Sequence, residues 1–265
     1  MPYDSTDMKF CLIQSDIIPD AVEKNLEHYR KLLRKIKNKP DVIIFPEMFA
    51  CGFSPLLNKN AEPIHGPSTL FLQETAAEYQ CEVVGSLPVE TENKICNRLL
   101  WITPDKLIAG YYDKRHLYFG EEKEYCTPGT EKVIIQRNAF HFLPLICYDI
   151  RFPSWCRNRY DNGRFLYDCL LLIANFPAQR SGTLEILARA RAIENQAFVI
   201  LCNRVGKDGN GNPHRGKSML INPLGKIVAQ AADSEEDILE CCVEFPLMQK
   251  IRNKFPIYRD WDDRV

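Results

Sequence analysis

Three short segments of the sequence end an apolar run on a residue that can do chemistry: Phe45-Pro46-Glu47, Tyr112-Asp113-Lys114 and Leu145-Ile146-Cys147. A carboxylate just past a buried strand is partly desolvated, which raises its pKa and makes it a usable general base near neutral pH. A lysine at a strand end offers a fixed positive charge for a developing oxyanion. A cysteine where a strand stops, with Pro153-Ser154 starting a helix shortly after, sits on an elbow that lifts a nucleophile out of the sheet beside free backbone N–H groups. A nearby lysine would favour its thiolate, the species that attacks. Each residue also has a plain structural reading. Glu47 is equally a turn cap or the partner of a surface arginine, Lys114 a solvated lysine, and Cys147 a small hydrophobe inside an apolar run. Taken singly, the three residues leave those alternatives open.

The elements that must position them alternate along the chain. Phe10–Gln14 and Val42–Phe45 are strand-like. Between them Val22, Leu26, Tyr29, Leu33 and Ile36 recur at helical spacing, and Asp20 with Glu23 resembles a capping box. Ser68 starts a second helix running to about Tyr79, and Glu82–Leu87 is a strand. Asn97–Ile102, Leu107–Tyr112, Val133–Gln136 and Phe140–Ile146 follow as strands separated by turn residues. Then come the strand Leu170–Ala174, the helix Thr183–Asn195, and the strands Phe198–Asn203, Ser218–Ile221, Lys226–Ala229 and Ile238–Val243, with Asn222-Pro223-Leu224-Gly225 as a hairpin turn. Apolar runs without polar alternation are the mark of strands covered on both faces. The pattern predicts one layered α/β domain with two sheets packed face to face.

Composition narrows the function classes. The 265 residues carry 34 basic and 35 acidic side chains, a net charge of −1 with the signs interspersed, which argues against a nucleic-acid or acidic-membrane partner. The start, MPYDSTDMKF, lacks the basic and apolar regions of a secretory signal, and no apolar stretch approaches the roughly 18 residues of a membrane span. Eleven cysteines, an odd number and several inside apolar runs, point to a reducing, cytoplasmic setting rather than a disulfide framework. No Cys-x-x-Cys pair or matching histidine spacing suggests zinc.

Together and in order, Phe-Pro-Glu47-Met-Phe-Ala-Cys-Gly-Phe53, Asp-Lys114-Arg-His-Leu and Ile-Cys147-Tyr-Asp-Ile-Arg-Phe-Pro resemble the nitrilase superfamily of carbon–nitrogen hydrolases. The resemblance runs from the first strand past residue 245. It implies an α/β fold, a four-layer α-β-β-α sandwich in a single domain over residues 1–265, with no metal or organic cofactor. It implies a catalytic triad of Glu47 as base, Lys114 as oxyanion partner and Cys147 as nucleophile. A second glutamate stands before a Pro-Gly turn in many members; by offset from Pro128-Gly129 this is Glu122, with Glu121 and then Glu124 as alternatives. Tyr118 stands where phenylalanine is common in the family.

Ala174-Asn-Phe-Pro-Ala-Gln-Arg180-Ser, Ala188–Ala197 and Cys202–Gly211 are similar to bacterial omega-amidases. That implies a small-molecule amide substrate with a distal carboxylate, such as 2-oxoglutaramate or succinamate. A carboxylate calls for a fork-shaped cation; Arg180 is the first candidate and Arg151 the second, either of which could instead serve a structural ion pair. Tyr148, Phe53 and Phe176 complete the expected substrate site. The alternatives are an amidase for deaminated glutathione or N-carbamoyl compounds, an idle binding protein of the same fold, and a Cys-His protease using His116 or His141. A homodimer is the implied oligomer, with the apolar tail, about residues 245–265, at its interface.

Overall fold

The computed structural model describes residues 7–262 apart from Asn93. Residues 1–6, the first part of the start read as carrying no secretory signal, lie outside the described residues, and so does the side chain of Glu121.

Two sheets carry the architecture. Among the described residues the first has seven strands, running in the order Asp237–Glu244, Asp7–Gln14, Val42–Ile44, Glu82–Thr91, Lys94–Ile102 and Ile108–Asp113, with Glu62–Pro63 beside Glu82–Thr91. The second has six, in the order Ile227–Gln230, Met219–Ile221, Phe198–Asn203, Cys169–Ala174, Phe140–Ile146 and Ile135–Arg137. The three strands from Asp7–Gln14 to Glu82–Thr91 run parallel, as do Phe140–Ile146, Cys169–Ala174 and Phe198–Asn203. Antiparallel strands flank both sets.

The sequence determines which side chain faces which layer through the period of two. Phe10, Leu12, Val42, Ile44, Leu99 and Trp101 point between the sheets, where Phe142, Ile146, Leu171 and Ile173 of the second sheet meet them. Their alternates Cys11, Ile13, Ile43, Leu100 and Ile102 point outward, against Leu26 and Tyr29 of the helix Val22–Leu33 and Phe71 and Leu72 of the helix Pro67–Tyr79. On the far side Leu184, Ala188 and Ala192 of the helix Ser181–Asn195, with Met248 of the helix Phe245–Lys254, cover the second sheet. The result is the four-layer α-β-β-α sandwich. Both faces of both sheets are covered, which is why the strands read as unbroken apolar runs.

Local expectations differ from the structure at the helix starts. Ala21 is the first helix's N-cap and has no side-chain cap bond. Asp20 adopts φ +59° and accepts instead from Ser54 and Asn60, tying down the 54–60 loop. Gly66 precedes the second helix, and Ser68 Oγ donates to Glu62 rather than capping. The apolar tail expected at an oligomer interface is partly used within the chain: Phe245 and Leu247 pack against the core, and Met248 and Ile251 are buried. The hairpin formed by Val205–Lys207 and Pro213–Arg215, and the short helix Glu121–Tyr125, lie where the sequence pattern assigned no element.

Candidate active site

The strands deliver their end residues to one place. Glu47 follows Val42–Ile44, Cys147 follows Phe140–Ile146 and Asn175 follows Cys169–Ala174, so all three lie at the carboxyl ends of parallel strands, where α/β sheets collect ligands. Lys114 follows Ile108–Asp113, and its backbone is clamped on both sides. Its N–H donates to Asn97 O at 3.0 Å and its carbonyl accepts from Gly129 N at 2.9 Å. Residue 129 must be glycine for this contact, because a Cβ there would sit 2.2 Å from Asp113 O. The Pro128-Gly129 turn therefore docks the preceding segment across the lysine, and brings Glu122 in.

The charged centre is fully buried. Lys114 Nζ donates to Glu47 Oε1 at 2.7 Å and to Glu122 Oε1 and Oε2 at 2.9 and 2.7 Å. Asn97 Nδ2 bridges the same two carboxylates, at 2.9 Å to Glu47 and 2.7 Å to Glu122. Glu122 also accepts from Tyr118 N at 2.7 Å, and Glu47 Oε2 from Asn175 N at 2.8 Å. Glu122, not Glu124, is the second glutamate in the cluster; the side chain of Glu121 lies outside the described residues.

Two carboxylates face one ammonium, and that surplus of negative charge sets the protonation states. Burial would lower Lys114, but Glu122 and Glu47 outweigh it and hold the ammonium well above the usual lysine range. Burial raises the Glu47 carboxyl above its ordinary value, against the pull of Lys114, and Glu122 adds to the rise. Burial first and the Glu47 carboxylate second hold the Cys147 thiol well above its usual value, while Lys114 pulls the other way and is outweighed. This corrects the expectation that the lysine favours a thiolate. Lys114 is neutralised by its own glutamates, so Cys147 rests as a thiol beside the Glu47 carboxylate.

Cys147 sits at φ +46°, a left-handed conformation rare for a side chain, as the strand turns into the 3-10 turn Cys147–Arg151 and the helix Pro153–Cys156. Such strain survives only where neighbours over-determine it. Asp149, fully buried, accepts from Ile146 N at 3.1 Å, Tyr112 Oη at 2.8 Å and His116 N at 2.9 Å. Arg191 of the neighbouring helix donates twice to Ile150 O, at 3.1 and 2.8 Å. Thus Asp149 and Arg191 brace the elbow, and Arg151 is not needed for it. His116 is part of it too, its Nδ1 2.8 Å from Asp149 and its ring stacked on Phe152. His141 is 3.4 Å from Asp168. Neither imidazole lines the cavity at Cys147, so the Cys-His arrangement is not formed.

The cavity above Cys147 has a volume of about 400 Å³. All nine residues picked from the sequence line it: Glu47, Lys114, Glu122, Cys147, Tyr148, Arg151, Arg180, Phe53 and Phe176. Arg180 lies over the Tyr118 ring at 5.1 Å, and Arg151 lies 5.9 Å from the Tyr148 ring and 5.7 Å from the Phe176 ring. Among the described residues neither guanidinium has a carboxylate within ion-pair distance.

Sequence reading missed Asn97, Asn175 and the loop from Asp208 to His214. That loop reaches the cavity because Gly209 N donates to Phe53 O at 2.8 Å and buried Arg204 holds its base, donating to Val205 O, Ile17 O and Lys207 O. The Asp208 carboxylate is taken up by the backbone of Asn210 and Asn212. Burial first and the charge of Arg204 second lower His214 to about 4, so a neutral imidazole faces the cavity at pH 7. The glycines and asparagines of Asp208-Gly-Asn-Gly-Asn were the available signal for a tight loop, although nothing local said where it would dock.

Comparison with known proteins agrees with this geometry. The Carbon-nitrogen hydrolase family matches residues 11–253. The Omega-amidase YafV of Escherichia coli strain K12 is 38% identical over 259 residues, 97% of each chain. The 2-oxoglutaramate amidase of Bacillus subtilis strain 168 is 28% identical, over 94% of this chain and 95% of that protein. A CN-hydrolase superfamily protein from Xanthomonas campestris, solved with an arsenic adduct in its active site, superposes with a TM-score of 0.93 at 36% identity over 98% of both chains. The chain belongs to the carbon–nitrogen hydrolase family, the nitrilase superfamily, and is an amide-hydrolysing enzyme. Within the superfamily it falls in the omega-amidase branch.

Proposed function

We propose that the enzyme hydrolyses the terminal amide of dicarboxylate monoamides, of the 2-oxoglutaramate or succinamate type, to the acid and ammonia through a thioester on Cys147. The observation that carries the substrate reading is the pair Arg151 and Arg180, two guanidiniums on the cavity wall with no carboxylate partner among the described residues. An arginine fork suits a planar carboxylate, and flanking aromatic rings hold its plane without satisfying its charge. The names of the omega-amidase and 2-oxoglutaramate amidase relatives support the same reading.

The protonation states suggest the order of events. Glu47 takes the thiol proton as Cys147 attacks the amide carbon. Lys114 and the N–H of Tyr148, in the first turn after the elbow where N–H groups lack an intrahelical acceptor, stabilise the oxyanion. Protonated Glu47 passes its proton to the departing nitrogen, which leaves as ammonia. The same carboxylate then activates water, which attacks the thioester and frees the acid and the thiol. Glu122 fixes Lys114 and keeps the cluster negative, so that the proton stays on sulfur until substrate arrives.

No cofactor or metal enters this scheme. A cytoplasmic setting is supported by all eleven cysteines being free. A homodimer through the exposed apolar residues Ile186, Ile193, Leu224 and Phe255 is the oligomer we propose. The test of function is ammonia release across 2-oxoglutaramate, succinamate, glutamine and a simple nitrile, with Cys147→Ala as control. Turnover is expected for the first two and not for glutamine or the nitrile. Carbon dioxide release from an N-carbamoyl compound, with no ammonia from succinamate, would replace this reading by the carbamoyl one; turnover of deaminated glutathione alone would replace it by the other.

A further inference from the structure

Three buried asparagines away from the cavity use both ends of their side chains. Asn25 accepts from Ile18 N and donates to Ile18 O and Ala50 O. Asn158 accepts from Tyr167 N and donates to Tyr167 O and Asn195 O. Asn203 accepts from Phe176 N and donates to Gly216 O. Asn97 leaves its Oδ1 without a partner, and Asn175 goes further. It is only 7% exposed and lines the cavity, yet neither its Oδ1 nor its Nδ2 has a partner among the described residues. Native interiors leave few such groups, because an unmade bond in a buried site costs the desolvation without the return.

The backbone of Asn175, by contrast, is committed to the reaction centre. Its N–H donates to Glu47 Oε2 at 2.8 Å, and its main chain lies beside both the Cys147 thiol and the His214 ring. Glu47 Oε1 is occupied by Lys114 and Asn97, which leaves Oε2 as the oxygen that serves the thiol and the leaving nitrogen. A side chain one bond away from that N–H is therefore held next to the scissile group.

We propose that the Asn175 carboxamide pairs with the primary amide of the substrate. Oδ1 accepts one amide N–H and Nδ2 donates to the carbonyl oxygen, while the second N–H faces Glu47. Two primary amides are self-complementary in this way, each offering one donor and one acceptor on the same edge. The pairing satisfies both orphaned atoms at once. It also gives the site a means of selecting an amide over the ester or nitrile with the same acyl chain, since neither offers an N–H. A site built to hydrogen-bond a group rejects analogues lacking it far more strongly than an apolar pocket does.

This inference rests on the amidase reading above and is separable from the carboxylate specificity. The test compares kcat/KM for succinamate and for the ester with the same acyl chain, monomethyl succinate, in the wild type and in Asn175→Ala, with Asn175→Ser as a second variant. Expected is a fall of about 100-fold for the amide and about threefold or less for the ester, with no fall in the thermal midpoint. Equal loss on amide and ester would overturn the proposal, showing that the residue acts only by holding Glu47; an unchanged amide rate would overturn it as well. If the wild type does not turn over succinamate, the carboxylate reading fails. The amide-to-ester ratio is then read on propionamide and methyl propionate, with the same criteria.

Discussion

The strand Cys169–Ala174 ends at two buried polar sites that solve the same electrostatic problem in opposite ways. At its start, Asp168 meets Arg252 of the C-terminal helix at 2.8 Å, one charge against one. Arg252 donates its remaining bonds to Gln196 O and Tyr167 O and stacks on Phe165, and Asp168 also accepts from His141 N. At its other end, Asn175 borders a cluster with two carboxylates, one ammonium, a thiol kept protonated and three orphaned polar atoms: Asn97 Oδ1 and both ends of Asn175. The first site pairs its charges and fixes the C-terminal helix, leaving only the neighbouring Gln196 Oε1 without a partner. The second is left chemically unfinished, and its missing partners are those an amide substrate brings. Three of the six buried side-chain polar atoms without a partner among the described residues lie at this end, and two of them line the cavity.

Substitutions at the two ends should therefore fail differently. Lys114→Met removes the oxyanion charge and leaves two carboxylates facing each other; kcat is expected to fall by about 1,000-fold or more, measured by ammonia release, while the protein still folds because Asn97 bridges both glutamates. Loss of folding with catalysis would put Lys114 in the same structural role as Arg252. Arg252→Met strands Asp168 in the interior and should cost about 3 to 5 kcal/mol in denaturant unfolding with kcat per folded molecule unchanged. A changed kcat there would break the distinction between the two ends.

The smallest expected effect concerns pH. Glu47 must be ionised to take the thiol proton, so activity is lost as pH falls through its raised pKa, above the ordinary carboxylate value of 4.5. The thiol is held well above 9.0, so no thiolate appears on the alkaline side. Alkylation of Cys147 by iodoacetamide should thus be nearly flat from about pH 7 to about pH 9 in the wild type and rise with pH in Glu47→Gln. A steep rise in the wild type would mean that Glu47 does not deprotonate the thiol and that only free thiolate reacts; a flat profile kept in Glu47→Gln would mean that Lys114 does favour the thiolate.

How much of this the sequence carried depends on how local each cause is. The strands, their covered faces and the abrupt ends at Glu47, Lys114 and Cys147 are written in runs of a few residues, and so is the elbow before Pro153. Asn97 and Asn175 were invisible because their meaning comes from contacts 50 and 128 residues away from Glu47 in sequence. The helix starts were misjudged for a related reason: Asp20 has the right residue type for a cap, but a tertiary demand from Ser54 and Asn60 claims it. The state of the thiol was misjudged because it depends on the net charge of a cluster, and counting one lysine near one cysteine omits the two glutamates that neutralise it.

The central claim is that Cys147 attacks the amide as a thiol deprotonated by Glu47 and carries the acyl group. Rapid-quench mass spectrometry of the enzyme turning over succinamate tests it directly. The account predicts a transient succinyl adduct on the peptide containing Cys147, formed with one equivalent of ammonia before the acid appears, and absent in Cys147→Ala, which releases none. Ammonia release by Cys147→Ala at the wild-type rate, or steady turnover with the acyl group on any other residue, would contradict it.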